Sequence, residues 1–251
     1  MMLLKWVIRP YLYFQYLFSK FARTGAFGKD HAEYMTAPYQ NTGNSVKDGL
    51  FRHHVKQFHE SSCSVASVVS VINTLLESQG KLTGLPLTQH DLLETVRAAH
   101  WKERMGKDGY KGRRGLPLEV LGQVVKASLD VHKIQYRSVE IVQTLKNRKK
   151  SVQIKQDLKT RLERFEKQGD SIIIAHFDQG SFLPELHIPH ISPVGGFDPA
   201  SESVTILDVD STQDYPYKVS LETFYKGVSY DYNYMFRRYG YGEGGYVFIQ
   251  L

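Results

Sequence analysis

The only cysteine of this 251-residue chain, Cys63, stands where a polar loop turns into an apolar helix. Apolar residues recur at helical spacing over 65–76, and Ser61 or Ser62 can cap the first turn. The positive end of the helix dipole stabilises a thiolate at this position, and the thiolate is the nucleophilic form. Cys63 is therefore a candidate nucleophile, although a free cysteine is more often a small buried side chain.

A cysteine nucleophile needs a base, a group that orients the base, and donors for the developing oxyanion. His190 begins an apolar strand far downstream of Cys63, and Asp208 ends the next strand. Neighbouring strands can bring such side chains within hydrogen-bond reach. Asp210 lies on the same strand face as Asp208 and is a rival for the orienting role. Gln57 is a candidate oxyanion donor, together with the backbone N–H of Cys63.

The elements that must position these side chains follow a simple order along the chain. Helices are predicted after Cys63 and at 88–100, 117–129, 144–168 and 220–226. Strands are predicted at 171–177, 190–197, 203–210 and 245–251, and the first of these is apolar throughout, as a central strand would be. Helices followed by an antiparallel-type sheet indicate an α+β fold.

Composition limits the classes of function. A single cysteine excludes an intramolecular disulfide framework and an all-cysteine zinc site, and it suits a reducing compartment, so we expect a cytoplasmic protein. The net charge of +6 is moderate and does not by itself indicate nucleic-acid binding. The pair His187-x-x-His190 lacks a third ligand at a telling spacing, so no metal site in the protein is predicted.

Two segments combine basic and apolar residues. Residues 1–24 are aromatic and basic, and Lys5 and Arg9 interrupt any transmembrane run. This segment fits an interfacial amphipathic helix or a helix packed on its own domain, and both membrane association and export are left open. Residues 144–168 carry nine Lys or Arg residues, which fits a solvated helix face or a surface for an acidic partner.

Several motifs make the sequence similar to the phytochelatin synthase family of papain-like cysteine peptidases. Residues 190–197 (HISPVGGF) resemble the family's HFSPIGGY, and residues 206–209 (ILDV) match its ILDV at the family's distance from the histidine. Further similarities are KDGLFR at 47–52, the helix from Cys63 to Leu75, GLPLE at 115–119 and GYVFI at 245–249. The resemblance covers roughly 47–251, so we expect an amphipathic segment and arm at 1–46 and a catalytic domain at 47–251.

The resemblance implies a papain-like fold and acyl transfer on glutathione. It implies that Cys63 is the nucleophile, His190 the base and then the acid, Asp208 the orienting residue and Gln57 the oxyanion donor. A γ-Glu-Cys thioester would pass to water or to a second glutathione, the latter giving phytochelatin. The protein itself needs no cofactor in this scheme, because cadmium or zinc acts through the thiolate of the substrate.

Three features depart from the family pattern. Its Cys-Gly pair is Cys63-Ser64 here, which removes some backbone freedom beside the nucleophile. The cysteine-rich C-terminal extension of plant enzymes has no counterpart in this sequence, and shorter members that resemble it favour hydrolysis over polymer synthesis. The arginine that follows the aspartate in plant-like members has no counterpart. Candidate substrate-binding residues are therefore Tyr215, Arg113 and Arg114.

Two other functions remain open. The chain could be a papain-like peptidase or isopeptidase that acts on a protein tail, which the missing arginine and the long basic helix favour. It could also be a non-catalytic basic module that binds a membrane or an acidic partner through 1–24 and 144–168. Homo-oligomer formation and peripheral membrane contact through 1–24 are not decided by the sequence.

Overall fold

The computed structural model describes residues 10–11, 13–14, 17–18, 21, 24–25, 28–144, 148–185, 187–232, 242 and 244–251. The described residues between 10 and 21 are helical. The following helices are α1 (Ser45–Arg52), α2 (Cys63–Ser78), α3 (Gln89–Thr95), α4 (Trp101–Met105), α5 (Leu118–Val131), α6 (Arg148–Gln168) and α7 (Leu221–Val228). The strands are β1 (Thr24–Gly25), β2 (Gly28–Lys29), β3 (Glu33–Tyr34), β4 (Ser138–Gln143), β5 (Ser171–Asp178), β6 (Pro189–Asp198), β7 (Ser203–Ile206), β8 (Tyr217–Ser220) and β9 (Gly245–Gln250).

Seven of these strands form one sheet in the order β3-β8-β7-β6-β5-β9-β4. All neighbouring pairs in this sheet are antiparallel. Strands β1 and β2 form a separate short ribbon. The predicted α+β fold is thus confirmed.

Helices cover both faces of the central sheet, and β5 shows the consequence. Ile172 and Ile174 pack into the apolar cluster that contains α2 and α5, whereas Ile173, Ala175 and Phe177 pack into the cluster that contains α6 and α7. Successive side chains of a strand point to opposite faces, so a strand covered on both sides is apolar at every position. This is why residues 171–177 read as a continuous apolar run.

Helix α2 lies inside the molecule, because all its residues from Cys63 to Leu76 are buried. Three of its buried polar side chains bond within the helix. The hydroxyls of Ser67, Ser70 and Thr74 each donate to the carbonyl four residues earlier, at 2.7–2.8 Å. The nucleophile candidate therefore begins a helix that is held on all sides.

Several details differ from the predictions, including helix α1 and strand β3 in the stretch 25–50 that was expected to be irregular. The helix expected at 88–100 ends at Thr95, because the backbone of Val96 is extended with φ −98° and ψ 103°. Ala99 and His100 then have positive φ angles of 53° and 54°, and a new helix starts at Trp101. The strand expected at 203–210 ends at Ile206, next to a register shift between Val194 and Gly196. Strands β4 and β8 were not predicted, because their apolar residues alternate with polar ones over only four to six positions.

The arm before α1 packs on the rest of the chain. Strand β3 pairs with β8, and Met35 N–H donates to the Pro216 carbonyl at 2.8 Å. The Tyr39 ring stacks on Phe51 with centroids 3.6 Å apart. The division into 1–46 and 47–251 stays a prediction. The predicted basic segment 1–24 lies partly outside the described residues, and no helix among those described is long and apolar enough to cross a membrane.

Candidate active site

The loop before α2 holds Cys63 at the first position of the helix. The His59 ring ties this loop to α4, since its Nδ1 accepts from Ser61 N–H at 3.0 Å and its Nε2 contacts the Met105 carbonyl at 2.8 Å. The predicted side-chain cap is wrong. Ser62 stands at the capping position, but its hydroxyl donates to the His59 carbonyl at 2.8 Å, which closes the loop instead.

The structure brings Cys63, His190 and Asp208 together. His190 Nε2 lies 2.7 Å from Asp208 Oδ1, and the Cys63 thiol is a second hydrogen-bond partner of the same imidazole. All three side chains are buried, with 9 % of Cys63, 4 % of His190 and none of Asp208 exposed. The predicted nucleophile, base and orienting group of a cysteine-dependent acyl transfer are thus adjacent.

The protonation of the pair follows from its surroundings. Burial disfavours the imidazolium, but the Asp208 carboxylate and Cys63 outweigh this and raise the pKa of His190 well above its ordinary value. Burial also disfavours the carboxylate, yet His190 and two further donors hold the pKa of Asp208 at about 2. At neutral pH the pair is an imidazolium against a carboxylate, which is the form that can protonate a leaving amine.

The Asp208 carboxylate has donors on both oxygens. Tyr217 donates its hydroxyl to Oδ2 at 2.6 Å, and the Asp210 N–H donates to Oδ1 at 2.8 Å. Tyr217 is fully buried, and burial together with the Asp208 charge raises its pKa well above the usual value, so it remains a donor. The sequence reasoning missed Tyr217, although its place in the alternating run Tyr217-Lys218-Val219 signals an inward-facing residue.

The main chain at Asp208 is also held. Its carbonyl accepts from Lys56 Nζ at 2.6 Å and from His54 Nε2 at 3.0 Å, and these two residues were likewise missed. Burial, with the Lys56 charge as the second cause, lowers the pKa of His54 to about 4, so this ring is neutral and donates through Nε2. The residues just before Gln57 therefore fix the backbone on which Asp208 stands.

The rival residue Asp210 has other partners. Its Oδ2 accepts from Gln179 Nε2 at 2.9 Å and its Oδ1 from Thr212 at 2.9–3.0 Å. Both oxygens are thus engaged in holding loops, whereas Asp208 contacts His190. Because the strand ends at Ile206, the alternation assumed for 208 and 210 does not apply.

Gln57 is attached to the segment that carries Asp208. Its backbone N–H donates to the Val209 carbonyl at 2.7 Å. Its side-chain oxygen is buried and has no hydrogen-bond partner. The first N–H groups of α2, beginning with that of Cys63, have no acceptor four residues earlier within the helix. The role of Gln57 and of the Cys63 N–H as oxyanion donors stays a prediction.

The serine that replaces the family's glycine has a specific partner. Ser64 is fully buried, and its hydroxyl accepts from the Trp101 indole N–H at 3.1 Å. Trp101 begins α4, the helix to which the His59 loop is also tied. Ser64 is therefore accommodated by a buried polar contact that connects α2 to α4.

The three candidate substrate-binding residues have different positions. Arg114 Nη1 lies 3.1 Å from Glu60 Oε1, which places this guanidinium against the loop before Cys63. Arg113 is exposed, and its backbone pairs with that of Tyr110 in a tight turn. Tyr215 is 47 % exposed and lies in the segment between β7 and β8. Of the three, Arg114 has a described contact with the cysteine loop.

The two histidines of the His187-x-x-His190 pair contact different carboxylates. His187 Nδ1 lies 2.8 Å from Asp178 Oδ2, whereas His190 contacts Asp208. Within the part of the chain that the structure describes, no group of three or more His, Cys, Asp or Glu side chains could hold a metal ion.

A helix N-terminus that presents a cysteine to a histidine on an antiparallel sheet defines the class of papain-like cysteine enzymes. Comparison with protein families gives a match to the phytochelatin synthase model over residues 35–241. The chain belongs to the phytochelatin synthase family, which is papain-like and acts on glutathione by acyl transfer. A search of curated proteins found no match.

Proposed function

We propose that this protein cleaves the Cys-Gly bond of glutathione through a thioester on Cys63. The observation that carries the proposal is the buried contact of His190 with both the Cys63 thiol and Asp208. Membership of a family that acts on glutathione supplies the substrate class.

The first half of the reaction forms the acyl-enzyme. His190 holds a proton, so the Cys63 sulfur attacks the carbonyl carbon of the Cys-Gly peptide bond as the thiolate. Gln57 and the backbone N–H of Cys63 donate to the oxyanion that develops. The C–N bond then breaks, His190 gives its proton to the glycine nitrogen, and a γ-Glu-Cys thioester remains on Cys63.

The second half transfers the acyl group. Neutral His190 takes a proton from water or from the α-amino group of a second glutathione as this acceptor attacks the thioester carbonyl. Water releases γ-Glu-Cys, and glutathione releases an oligomer longer by one γ-Glu-Cys unit. A cadmium or zinc ion enters only as part of the substrate, bound to the glutathione thiolate. Of the two acceptors, we propose that water predominates.

Mass spectrometry of glutathione incubated with the protein, with and without cadmium, tests this function. We expect glycine and γ-Glu-Cys from the wild type, and no product from Cys63→Ala or His190→Ala. Ser128→Ala, a buried serine change in α5 away from the site, is the matched control and should keep full activity.

Each outcome has a defined meaning. Oligomers with cadmium present would add synthase activity to the hydrolysis. Unchanged glutathione with a folded wild-type protein would overturn the proposal and direct attention to peptide tails of proteins. Equal turnover by Cys63→Ala would exclude Cys63 as the nucleophile.

A further inference from the structure

The N-terminal segment 1–29 has a charge and composition unlike the rest of the chain. It contains five basic residues, no acidic residue and eight aromatic ones. Over 30–251, by contrast, Lys and Arg together are almost equal in number to Asp and Glu together. Nearly all of the protein's net charge of +6 is therefore concentrated in this short segment.

The described residues of this segment between 10 and 21 form a helix with an exposed aromatic face. Phe14 and Phe18 are each 70 % exposed, Leu17 is 44 % exposed and Phe21 is 92 % exposed. Their spacings of three and four residues place them on one side of the helix. Tyr11 and Tyr13, each 60 % exposed, continue the exposed aromatic surface toward the N-terminus. We call these six residues the aromatic face. A contiguous apolar surface of this kind marks an interaction site, unlike scattered exposed apolar residues.

We infer that the aromatic face docks on the surface of an anionic lipid bilayer, with the helix lying in the interface. Aromatic side chains prefer the depth of the lipid headgroups, and Lys or Arg side chains nearby attract anionic lipids. The helix does not span the bilayer, because basic residues interrupt its sequence and no described helix meets the length and apolarity needed for crossing.

A lipid surface is favoured over two other occupants of the aromatic face, namely a second copy of the chain and the protein's own core. A second copy of the chain would bring an equal positive segment against the first, which repels. The protein's own core does not cover the face, since the described residues are solvent-exposed. An anionic bilayer offers both an apolar interior for the rings and negative headgroups for the cations.

Sedimentation with lipid vesicles tests the inference on the full chain. We expect the protein to sediment with vesicles of phosphatidylcholine and phosphatidylserine, weakly with phosphatidylcholine alone, and less at high salt because the charges are screened. Combined Phe14→Ser, Phe18→Ser and Phe21→Ser changes should weaken binding at least about tenfold, because they remove large apolar side chains from the face.

A matched control removes apolar surface elsewhere. Leu85, Val131 and Val152 are 93 %, 47 % and 71 % exposed, so their combined change to Ser should leave vesicle binding intact. Fluorescence gives a second readout, because Trp101 is fully buried and Trp6 is the only other tryptophan. Mixed vesicles should shift the emission of the wild type to shorter wavelength, whereas Trp6→Phe should lose the shift and still sediment.

Two results would overturn the inference. The first is equal sedimentation of the wild type and the Phe14, Phe18 and Phe21 triple variant. The second is a wild-type dimer in light scattering that the triple variant abolishes, with no vesicle binding by either protein, which would assign the face to a second copy. Because binding is measured without substrate, neither result depends on the glutathione reaction.

Discussion

At the scale of single residues, the candidate site depends on charges that are buried and fully paired. The Asp208 carboxylate receives His190, Tyr217 and a backbone N–H, and it remains ionised although no part of it is exposed. A buried charge is costly unless donors surround it, so each donor contributes to both the stability and the orientation of the base.

The Asp208→Asn variant should narrow the pH range of activity. The Asp208 charge is the main cause that raises the pKa of His190 against the effect of burial, so its removal lowers that pKa. Departure of glycine requires protonated His190, and the alkaline limb of kcat/KM should therefore move to lower pH. Glycine release measured across pH checks this, with Asp210→Asn as the control that keeps the wild-type profile. An unmoved alkaline limb in Asp208→Asn would contradict the assigned roles.

Tyr217→Phe should distinguish an effect on the orientation of Asp208 from an effect on the binding of substrate. The change removes a hydrogen bond to a buried carboxylate, so the free energy of unfolding should fall by about 1.5–3 kcal/mol. The value of kcat should fall with KM nearly unchanged, because Tyr217 holds Asp208 and contacts no substrate in the scheme above. Urea unfolding and steady-state kinetics measure the two effects, and Tyr225→Phe in α7 serves as the control. A change in KM alone would refute a positioning role.

The sequence predicted residues that the structure brings together as a candidate site, but it did not predict the residues that support them. Cys63 and His190 could be found because a lone cysteine at a helix start and a histidine at a strand start are local patterns. Tyr217, Lys56 and His54 reach Asp208 from segments whose approach depends on the whole sheet. No local spacing marks such contacts, so they could be identified only from the structure.

At the scale of elements, one serine connects the helix of the nucleophile to the strand of the base. Ser67 Oγ lies 2.8 Å from the Cys63 carbonyl and 2.9 Å from the Ile191 carbonyl, one residue after His190. Helix α2 and strand β6 are thus in direct contact beside the two reacting groups.

Ser67→Ala should loosen this connection. We expect a loss of about 1 kcal/mol in unfolding free energy and a larger relative loss of kcat than the stability change explains. Ser128→Ala removes a similar buried bond to a carbonyl four residues earlier, in α5, and should reduce stability without reducing kcat. Identical kinetics for both variants would show that the Ser67 bridge has no part in aligning the site.

The elements that were predicted well are those with long, uniform patterns. Strand β5 and helices α2 and α5 have apolar periods that extend over several turns or positions. The positive φ angle at Ala99 and the register shift at the end of β7 are features of single residues. A periodic pattern of apolar residues does not predict such features.

Several charges of the basic helix α6 have partners within the protein. Its Lys155, Lys159 and Arg161 pair with Glu222, Glu202 and Glu140, and Leu158 and Leu162 are fully buried against the sheet. These partners lie in α7, in the turn after β6 and in β4. The structure thus supports a packed helix with a solvated charged face, rather than a surface reserved for an acidic partner.

At the scale of the whole molecule, the contacts that the arm before α1 makes with the rest of the chain contribute to the stability of the fold. Besides the β3–β8 pairing, Asp48 accepts the Tyr39 hydroxyl at 2.6 Å and the backbone N–H groups of Thr42 and Gly43. Burial and the bond to Asp48 raise the pKa of Tyr39, so it stays a donor throughout the physiological range.

Truncation at two points should reveal this dependence. Removal of residues 1–23 should leave the urea midpoint close to that of the full chain, because β3 and the Tyr39 contacts remain. Removal of residues 1–46 should lower the midpoint and the activity, because β8, which carries Tyr217, loses its neighbouring strand. Equal midpoints for the two truncated proteins would support a domain that begins at residue 47.

The single cysteine lies at the seam between the helical layer and the sheet, with 9 % of its surface exposed. An alkylating reagent can therefore label one atom of the whole molecule, the Cys63 sulfur. Labelling requires the helical layer and the sheet to separate locally. The labelling rate without substrate, measured at increasing urea concentrations, therefore reports how often the helical layer and the sheet separate. Glutathione bound at the candidate site should lower this labelling rate, which would report binding without turnover.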